Sequence, residues 1–437
     1  MHPSRAIRGR TSRLLEGRRI VLGIAGSIAA IEAPRIAREL LRHGAEVVAV
    51  MTPDARRIIT PEAMEFATGH PPVTELTGGV EHVALLGPGE GRADLLLIAP
   101  ATANTIGKIA HGIDDTPVTS CASVALGGGI PILLAPAMHA DMHRNPAVQA
   151  SLEALRRWGV GFVPTVSAEG EEKLAPPEAI AAAVLHRLAR GPWSGRTVVV
   201  IGGAAREPID HVRSLTNESS GAMAVSLAAQ AHYRGAMVEL WMGHHTVPLP
   251  PYLEVHPWRT VGDLVALAER RKEALARASL VIVPAALADY TVSPADGKIS
   301  SRDHPTLQLS LVRAAKVLPT LRRLAPRPCL LVGFKLEATS DEGSLAGAAA
   351  RLADEADLDG VVANGAGTMG SPAIHALVVS RTGERHWLTG AKEEVAGKLL
   401  DDLGRSPLPA PPRAATPARP SRPSAVLRRS ARRRRRR

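Results

Sequence analysis

Cysteine is scarce in this chain, since only Cys121 and Cys329 occur among its 437 residues, each within an apolar segment. Two isolated cysteines exclude a disulfide-stabilised scaffold and are typical of a reducing compartment. No apolar run reaches the length of a membrane-spanning helix, and the arginine-rich start has no apolar signal core. The sequence therefore predicts a soluble cytoplasmic protein with no membrane partner.

Acidic residues are missing from the stretch 404–437, which holds twelve Arg and ends on six in succession. The stretch 1–19 is also basic, so the net charge of +11 comes from the two ends, and the body between them is slightly acidic. Both ends are predicted to be disordered, over 1–17 and 405–437. The tail is either a solvated extension or a non-specific ligand of nucleic acid, and the lack of interleaved aromatic residues argues against specific RNA binding.

Two halves of the chain begin alike. The segment RRIVLGIAGS at 18–27 is echoed by RTVVVIGG at 196–203, and each is an apolar run that ends on glycine. Each continues into an amphipathic run, a glycine typical of a helix C-terminus (Gly44 and Gly235) and a second apolar strand. The segment RGPWSG at 190–195 has the composition of a linker. The length allows two domains with substantial cores.

Strands that alternate with helices predict parallel sheets, with ligand sites at the carboxyl ends of the strands. We therefore expect an α/β fold of two Rossmann-like, doubly wound domains with mainly parallel sheets, at 18–190 and 191–404. Buried strands are predicted at 45–51, 95–99, 131–135, 197–201, 236–242, 280–283, 330–333 and 360–363.

Three short segments of the amino-terminal half follow predicted strands and so converge on one crevice. They are GSIAA at 26–30, PATAN at 100–104 and PAMH at 136–139. In this order they resemble the FMN-binding cysteine decarboxylase family, over about 18–188. The resemblance implies that FMN is bound by Gly26, Ser27, Thr52, Thr102 and Asn104.

Two histidines carry the chemistry that this resemblance implies. His82 occupies the place of the family's catalytic histidine, although a lone loop histidine is more often a surface residue. His139 stands where the family has an asparagine that positions the substrate carboxylate, and an imidazole can also donate to a carboxylate. In such enzymes FMN oxidises the substrate thiol to a thioaldehyde, which lets the neighbouring carboxylate leave as carbon dioxide.

The segment AEGEEKLA at 168–175 departs from the family, whose flap carries a cysteine that re-protonates the enethiol intermediate. Without that cysteine, another group has to supply the proton. His139 and His143 also have the four-residue spacing of metal ligands on a helix, but no third ligand is evident nearby. The sequence therefore leaves metal binding in this half open.

The stretch 202–223 is the most informative part of the chain. It reads GGAAREPID at 202–210 and LTNESSGAM at 215–223, a tight glycine turn followed by a helix start suited to anions. A glycine turn alone leaves nucleotide binding and a plain strand–helix connection equally open. Together with ADY at 288–290, GKI at 297–299 and VGF at 332–334, however, the stretch resembles the synthetase half of the bifunctional phosphopantothenoylcysteine synthetase/decarboxylase family of coenzyme A biosynthesis.

This resemblance implies that the carboxylate of 4′-phosphopantothenate attacks CTP in the presence of Mg²⁺, and that the amine of cysteine then opens the acyl-cytidylate. Asn217 matches the asparagine that handles the acyl intermediate. Asp289 would accept from the cytosine amino group, and Lys298 would bind the phosphates as a point charge. The nucleotide is expected to contact Ala285, Asp289, Lys298, Lys316 and Phe334.

Several family cations are missing from this half, because Ala222, Ser300 and Ser301 stand where relatives have basic residues. Each lost charge-assisted contact to phosphate weakens binding by about 1.5–3 kcal/mol. The favoured function is a homo-oligomeric bifunctional enzyme that makes 4′-phosphopantetheine. Two alternatives stay open: a degenerate paralogue that binds flavin or nucleotide without full activity, and an FMN-dependent decarboxylase of another cysteine-containing substrate.

Overall fold

The structure, a computed structural model, describes residues 2–168, 171–302, 306–368 and 370–405. The predicted tail at 405–437 therefore lies outside the described residues, apart from Arg405. In the amino-terminal half the helices are α1 (Pro3–Ile7), α2 (Ala33–Arg42), α3 (Pro61–Thr68), α4 (Glu81–Leu86), α5 (Ala103–His111), α6 (Pro117–Gly128), α7 (Ala140–Arg144), α8 (Pro146–Arg157) and α9 (Pro177–Leu188), with 3₁₀ turns at Ile28–Glu32 and Ala55–Arg57. The strands are β1 (Arg19–Ile24), β2 (Glu46–Met51), β3 (Leu95–Ala101), β4 (Ile132–Pro136), β5 (Met138–His139), β6 (Gly161–Phe162), β7 (Val166–Ala168) and β8 (Glu171–Lys173).

The main sheet of this half is parallel throughout, in the order β2–β1–β3–β4–β6. This is the 2-1-3-4-5 order of flavodoxin-like folds, in which the strand order reverses between the first and third strands. Alternate side chains of β1 pack on opposite faces, Ile20 and Leu22 in one core and Val21 in the other. The sheet is therefore buried on both faces, and its open ligand site lies beyond the carboxyl ends of β1 and β3.

The amino-terminal stretch is folded where the sequence predicts disorder over 1–17. Helix α1 begins with a cap in which Ser4 N donates to His2 Nδ1 at 3.3 Å. Leu15 is only 1% exposed, and its amide donates to the carbonyl of His43 at 2.9 Å. The arginines of this stretch stay at the surface while Leu15 enters the core. The many arginines give this stretch a composition typical of disorder, although the burial of Leu15 in the core orders it.

The carboxyl-terminal half has helices α10 (Ala222–Tyr233), α11 (Val261–Arg270), α12 (Lys272–Arg277), α13 (Val317–Leu324), α14 (Glu342–Ala356) and α15 (Lys392–Leu403), with a 3₁₀ turn at Ala366–Thr368. Its strands are β9 (Thr197–Gly202), β10 (Arg206–Pro208), β11 (Ser214–Thr216), β12 (Met237–Met242), β13 (Glu254–Pro257), β14 (Ala278–Val283), β15 (Tyr290–Thr291), β16 (Val312–Arg313), β17 (Leu330–Glu337), β18 (Gly360–Gly365), β19 (Ala373–Ser380) and β20 (Arg385–Ala391). Within the described ranges, no helix of either half combines the length and apolarity that crossing a bilayer requires.

The main sheet of this half has eight strands in the order β13–β12–β9–β14–β17–β18–β19–β20. The first six are parallel, and in chain order they follow the 3-2-1-4-5-6 arrangement of a Rossmann fold. The last two are antiparallel and extend one edge as a hairpin. The predicted α/β fold of two doubly wound, mainly parallel domains is thus confirmed. Its second ligand crevice falls between the carboxyl ends of β9 and β14.

Two glycines explain the tight turn after β9. A Cβ at Gly202 would stand 2.0 Å from the Cβ of Ala224, so this strand and α10 approach too closely for any side chain. Gly203 has a φ of +81°, and a Cβ there would stand 2.7 Å from the backbone of Gly243. The glycine pair therefore lets α10 begin directly against the end of the strand.

Rings from both halves meet in what we call the histidine–tyrosine junction, formed by His43, His186, His232, Tyr233 and Tyr252. His186 of α9 stacks on His232 of α10 with ring centroids 4.5 Å apart, and its Nδ1 donates to the carbonyl of His232 at 3.1 Å. The hydroxyls of Tyr233 and Tyr252 hydrogen-bond at 3.0 Å, and the ring of His43 lies edge-on to Tyr233. Burial lowers the pKa of His232 to about 3 and, with the Tyr233 hydroxyl, raises the pKa of Tyr252.

Candidate active sites

The ends of β1 and β3 form the first candidate site. The amide of Ala25 donates to the carbonyl of Pro100 at 3.3 Å, which holds the two strand ends together. Ser27 caps the 3₁₀ turn that follows β1 by accepting from Ala29 N at 3.3 Å. Thr102 caps α5 in the same way, accepting from Thr105 N at 3.2 Å. Two capped helical starts with small side chains therefore open side by side, an arrangement suited to a phosphate.

The loop after β2 closes the same crevice. Thr52 is buried, its amide donates to the carbonyl of Ile24 at 3.0 Å, and its Oγ1 accepts from Ala55 N at 3.2 Å. A Cβ at Gly26 would stand 2.4 Å from the Cβ of Asp54, so this close approach requires glycine. The structure thus brings together Gly26, Ser27, Thr52 and Thr102. Asn104 is exposed in the first turn of α5, beside Thr102.

His82 lies in the first turn of α4, two residues after Val80, whose φ of +45° marks the sharp entry to the helix. The ring is partly buried, and its Nδ1 is buried without a hydrogen-bond partner in the described part of the chain. A buried nitrogen without a partner is costly unless a ligand supplies one. The glycine-tight crevice fits a bound flavin, and the orphaned nitrogen of His82 fits a ligand that supplies its missing partner.

His139 ends β5 and directly precedes α7. Residues Met138 and His139 pair antiparallel with β8, and β8 pairs antiparallel with β7, so the β7–β8 hairpin lies on the PAMH strand end. Thr165 reaches across the hairpin and donates a hydrogen bond to Glu172. Residues 169 and 170 lie outside the described residues. Among the residues that are described, no three His, Cys, Asp or Glu side chains are grouped to hold a metal ion.

A cavity of about 960 Å³ forms the second candidate site, at the crevice between β9 and β14. It is lined by the loop after β14, the amino-terminal turn of α10, the start of α13 and the end of β17. The predicted residues that line it are Asn217, Ala285, Asp289, Lys316 and Phe334. Four segments that are far apart in sequence therefore meet where the strand order predicts a nucleotide site.

The side chain of Asn217 is hydrogen-bonded to the loop after β14. Its Nδ2 donates to the carbonyls of Ala286 and Leu287, at 3.3 and 3.1 Å. Both amide protons are therefore committed to the backbone, and the side chain presents Oδ1 as its acceptor. Asp289, further along the same loop, forms a loose, exposed ion pair with Lys316, at 3.7 Å.

Lys298, by contrast, is absent from the lining of the cavity and is exposed on the GKI loop. The REPID segment secures that loop. Asp210 is 2% exposed and accepts from the amides of Val212 and Ile299, at 2.8 and 3.1 Å. These and further backbone hydrogen bonds lower the pKa of the Asp210 carboxyl. Glu207 is also buried, and its carboxylate accepts hydrogen bonds from Val261 N and Thr291 Oγ1, both at 2.8 Å. The two acidic residues of the REPID segment, Glu207 and Asp210, therefore hold neighbouring loops in place.

Sequence reasoning missed two lysines that line the cavity. Lys335 directly follows the VGF segment, which was a usable signal, and its Nζ lies 3.5 Å from Glu337. Lys392 is the first residue of α15, far along the chain from every motif. Burial lowers the pKa of the Lys392 ammonium. The cavity-lining residues of α14 are Leu352, Glu355 and Ala356, so that helix brings no cation to the site.

Comparison with known proteins accounts for both halves. The flavoprotein family matches residues 8–189, and the DNA/pantothenate metabolism flavoprotein C-terminal domain matches residues 193–405. The coenzyme A biosynthesis bifunctional protein CoaBC of Thermococcus kodakarensis is 42% identical over 92% of this chain and 99% of its own length. The protein of the same name from Methanocaldococcus jannaschii is 33% identical, over 92% and 97%. Among solved structures, the FMN-dependent cysteine decarboxylase SpaF is 35% identical, covering 38% of this chain and 97% of its own, with a TM-score of 0.33.

A flavodoxin-like half with a flavin crevice and a Rossmann-like half with a nucleotide crevice define a two-domain flavoprotein with a second active site. The chain belongs to the family of bifunctional coenzyme A biosynthesis proteins that these curated relatives represent. It is a bifunctional enzyme, with a flavoprotein decarboxylase in its amino-terminal half and a ligase in its carboxyl-terminal half.

Proposed function

We propose that the enzyme joins cysteine to 4′-phosphopantothenate at the expense of CTP, and then decarboxylates the product to 4′-phosphopantetheine with FMN as cofactor. The observation that supports this best is the cavity of about 960 Å³ that collects Asn217, Ala285, Asp289, Lys316 and Phe334 at the Rossmann switch point. These residue types suit a base, a phosphate chain and a polar acyl group in one volume.

In the ligase half, the start of α10 receives phosphate. Ser219 and Ser220 hold the turn before this helix, and Gly221, at a φ of +78°, lets the chain enter it. The amino-terminal amides then face an anion with the favourable end of the helix dipole. Asn217, with both amide protons bound to backbone carbonyls, offers Oδ1 to an N–H of the attacking cysteine. Asp289 accepts from the cytosine amino group.

Magnesium fits the same cavity as a partner of the nucleotide. Mg²⁺ is usually held by one or two carboxylates together with substrate phosphates, so it needs no preformed all-protein cage. The carboxylates of Glu218 and Glu355 line the cavity besides Asp289 and are the groups that would hold it.

In the decarboxylase half, Gly26, Ser27, Thr52, Thr102 and Asn104 bind FMN. The bound flavin supplies oxidation of the substrate thiol and the later return of the electrons. His82, with Nδ1 buried and unpaired, takes the thiol proton. His139, beside the β7–β8 hairpin, donates to the substrate carboxylate and orients it. That hairpin carries no cysteine, so a different group supplies the last proton.

The test is a paired assay on the purified full-length enzyme. We expect bound flavin, pyrophosphate release from CTP that requires phosphopantothenate and Mg²⁺, and carbon dioxide release after cysteine is added. Asn217→Asp removes the two backbone hydrogen bonds and should impair conversion of the acyl-cytidylate, while His82→Asn should stop carbon dioxide release and leave flavin bound. Flavin-free protein, or no pyrophosphate at high CTP, would favour the degenerate paralogue instead.

Self-association stays a prediction. The side chains of Ile28 and Ile31 are 75% and 54% exposed on the 3₁₀ turn beside the flavin crevice. Apolar surface of this kind is often covered by a second subunit. A homo-oligomer would appear as a mass above 46.0 kDa in light scattering of the dilute protein.

A further inference from the structure

Three lysines line the ligase cavity, but only two of them have a carboxylate partner. Lys316 Nζ lies 3.7 Å from Asp289, and Lys335 Nζ lies 3.5 Å from Glu337. Lys392 makes neither an ion pair nor a side-chain hydrogen bond to any residue that the structure describes. It is therefore a cavity-lining cation whose charge nothing in the described protein offsets.

The position of Lys392 is unfavourable for a cation in the free protein. It is the first residue of α15, where the helix dipole disfavours positive charge. The side chain is also half-buried, so the charge has lost part of its hydration. The backbone amide donates to the carbonyl of Pro372 at 3.1 Å, which fixes the residue against the rim of the cavity. A bound anion would offset both costs at once.

The other positive charges of the cavity are already paired, Lys316 with Asp289 and Lys335 with Glu337. Ala222 begins α10, and Leu352 and Ala356 are the apolar side chains that α14 presents to the cavity. Lys298 is outside the lining. Phosphates in a protein site are usually met by at least one charge-assisted contact. Lys392 is the unpaired cation that can make it.

We propose that Lys392 binds a phosphate group in the ligase cavity, either of the nucleotide triphosphate or of the phosphorylated acyl substrate. This assignment rests on the proposed function, since both phosphate carriers are its substrates. It makes Lys392 a substrate-binding residue that replaces positive charge missing at Ala222, Ser300 and Ser301.

The experiment compares Lys392→Gln, Lys392→Arg and Lys398→Gln in the full-length enzyme. Lys398 lies on the same helix, is exposed and pairs with Glu394 at 2.7 Å, so its variant is a matched control for charge and helix stability. KM for CTP and for phosphopantothenate is measured by pyrophosphate release. Kd for each ligand, and for pyrophosphate alone, is measured by calorimetry.

Lys392→Gln should raise KM and Kd for one phosphate ligand by about 10- to 100-fold, the loss expected for one charge-assisted contact. The substrate for which KM and Kd rise is the one whose phosphate Lys392 binds. Lys392→Arg should recover most of the affinity, and Lys398→Gln should match the wild type. If Lys392→Gln binds both substrates and pyrophosphate within twofold of wild type, the assignment is wrong. Failure of the proposed function is distinct, because the wild type itself would then release no pyrophosphate.

Discussion

Replacing His232 by phenylalanine should change how the stability of the enzyme depends on pH. The ring of His232 is stacked on His186 and lies 5.0 Å from the ring of Tyr252, in the junction between the two halves. Burial, together with the nearby His186, lowers its pKa from 6.5 to about 3. Phenylalanine keeps a flat ring in the stack and has no proton to gain.

The magnitude follows from proton linkage. Between pH 6.5 and about 3 the unfolded chain binds a proton at this histidine that the folded chain does not. The free energy of unfolding therefore falls as the pH falls through this window, by about 1.4 kcal/mol per pH unit, and is unaffected above it. At about pH 5 the wild type should lose about 2 kcal/mol relative to neutral pH through this residue. The variant should not show that loss.

Urea unfolding followed by tryptophan fluorescence measures the effect, because Trp193 and Trp241 are buried in the carboxyl-terminal half. The free energy of unfolding is compared at about pH 5 and about pH 7.5, for the wild type and His232→Phe. His70→Gln is the control, since His70 is exposed, and it should keep the wild-type dependence. Equal losses of stability in the wild type and His232→Phe would show that this histidine is protonated in the folded enzyme.

Two glycine substitutions should separate the two activities. Gly26→Val sets a Cβ 2.4 Å from the Cβ of Asp54 and should empty the flavin crevice while pyrophosphate release persists, as absorbance and the ligase assay would show. Gly202→Val sets a Cβ 2.0 Å from Ala224, so it should displace the start of α10 and lower pyrophosphate release at least about tenfold, while the protein stays yellow. Loss of both activities in either variant would mean global unfolding. It would contradict the expectation that each substitution disturbs only one crevice.

Much of the fold was predictable because buried parallel strands are apolar along their whole length. The segments predicted at 95–99 and 197–201 correspond to Leu95–Ala101 and Thr197–Gly202. The hairpin of β19 and β20 was not predicted, because it forms a sheet edge where exposed residues such as His375 and Arg385 interrupt the apolar pattern. The order of the amino-terminal stretch was missed because its buried apolar residue, Leu15, follows α1 in a segment rich in arginine.

The candidate sites were predictable where a motif follows a strand directly. Ser27, Thr102 and Asn217 lie at the crevices because strand order brings their segments together. The location of Lys298 was not predictable, since its loop is held by the hydrogen bond from Ile299 N to Asp210, far away in sequence. Lys392 has no local signal at all, and only the folding of α15 against the sheet brings it to the cavity.

The histidine–tyrosine junction limits how the enzyme can be divided or recombined. Composition places a border at 190–195, yet contacts run across it: α9 lies on α10, and the ring of His186 stacks on that of His232. A protein cut at that border would leave the faces of His232 and His186 against water on separate pieces. A chimera made by exchanging one half with a relative would need matching rings on both sides of the junction.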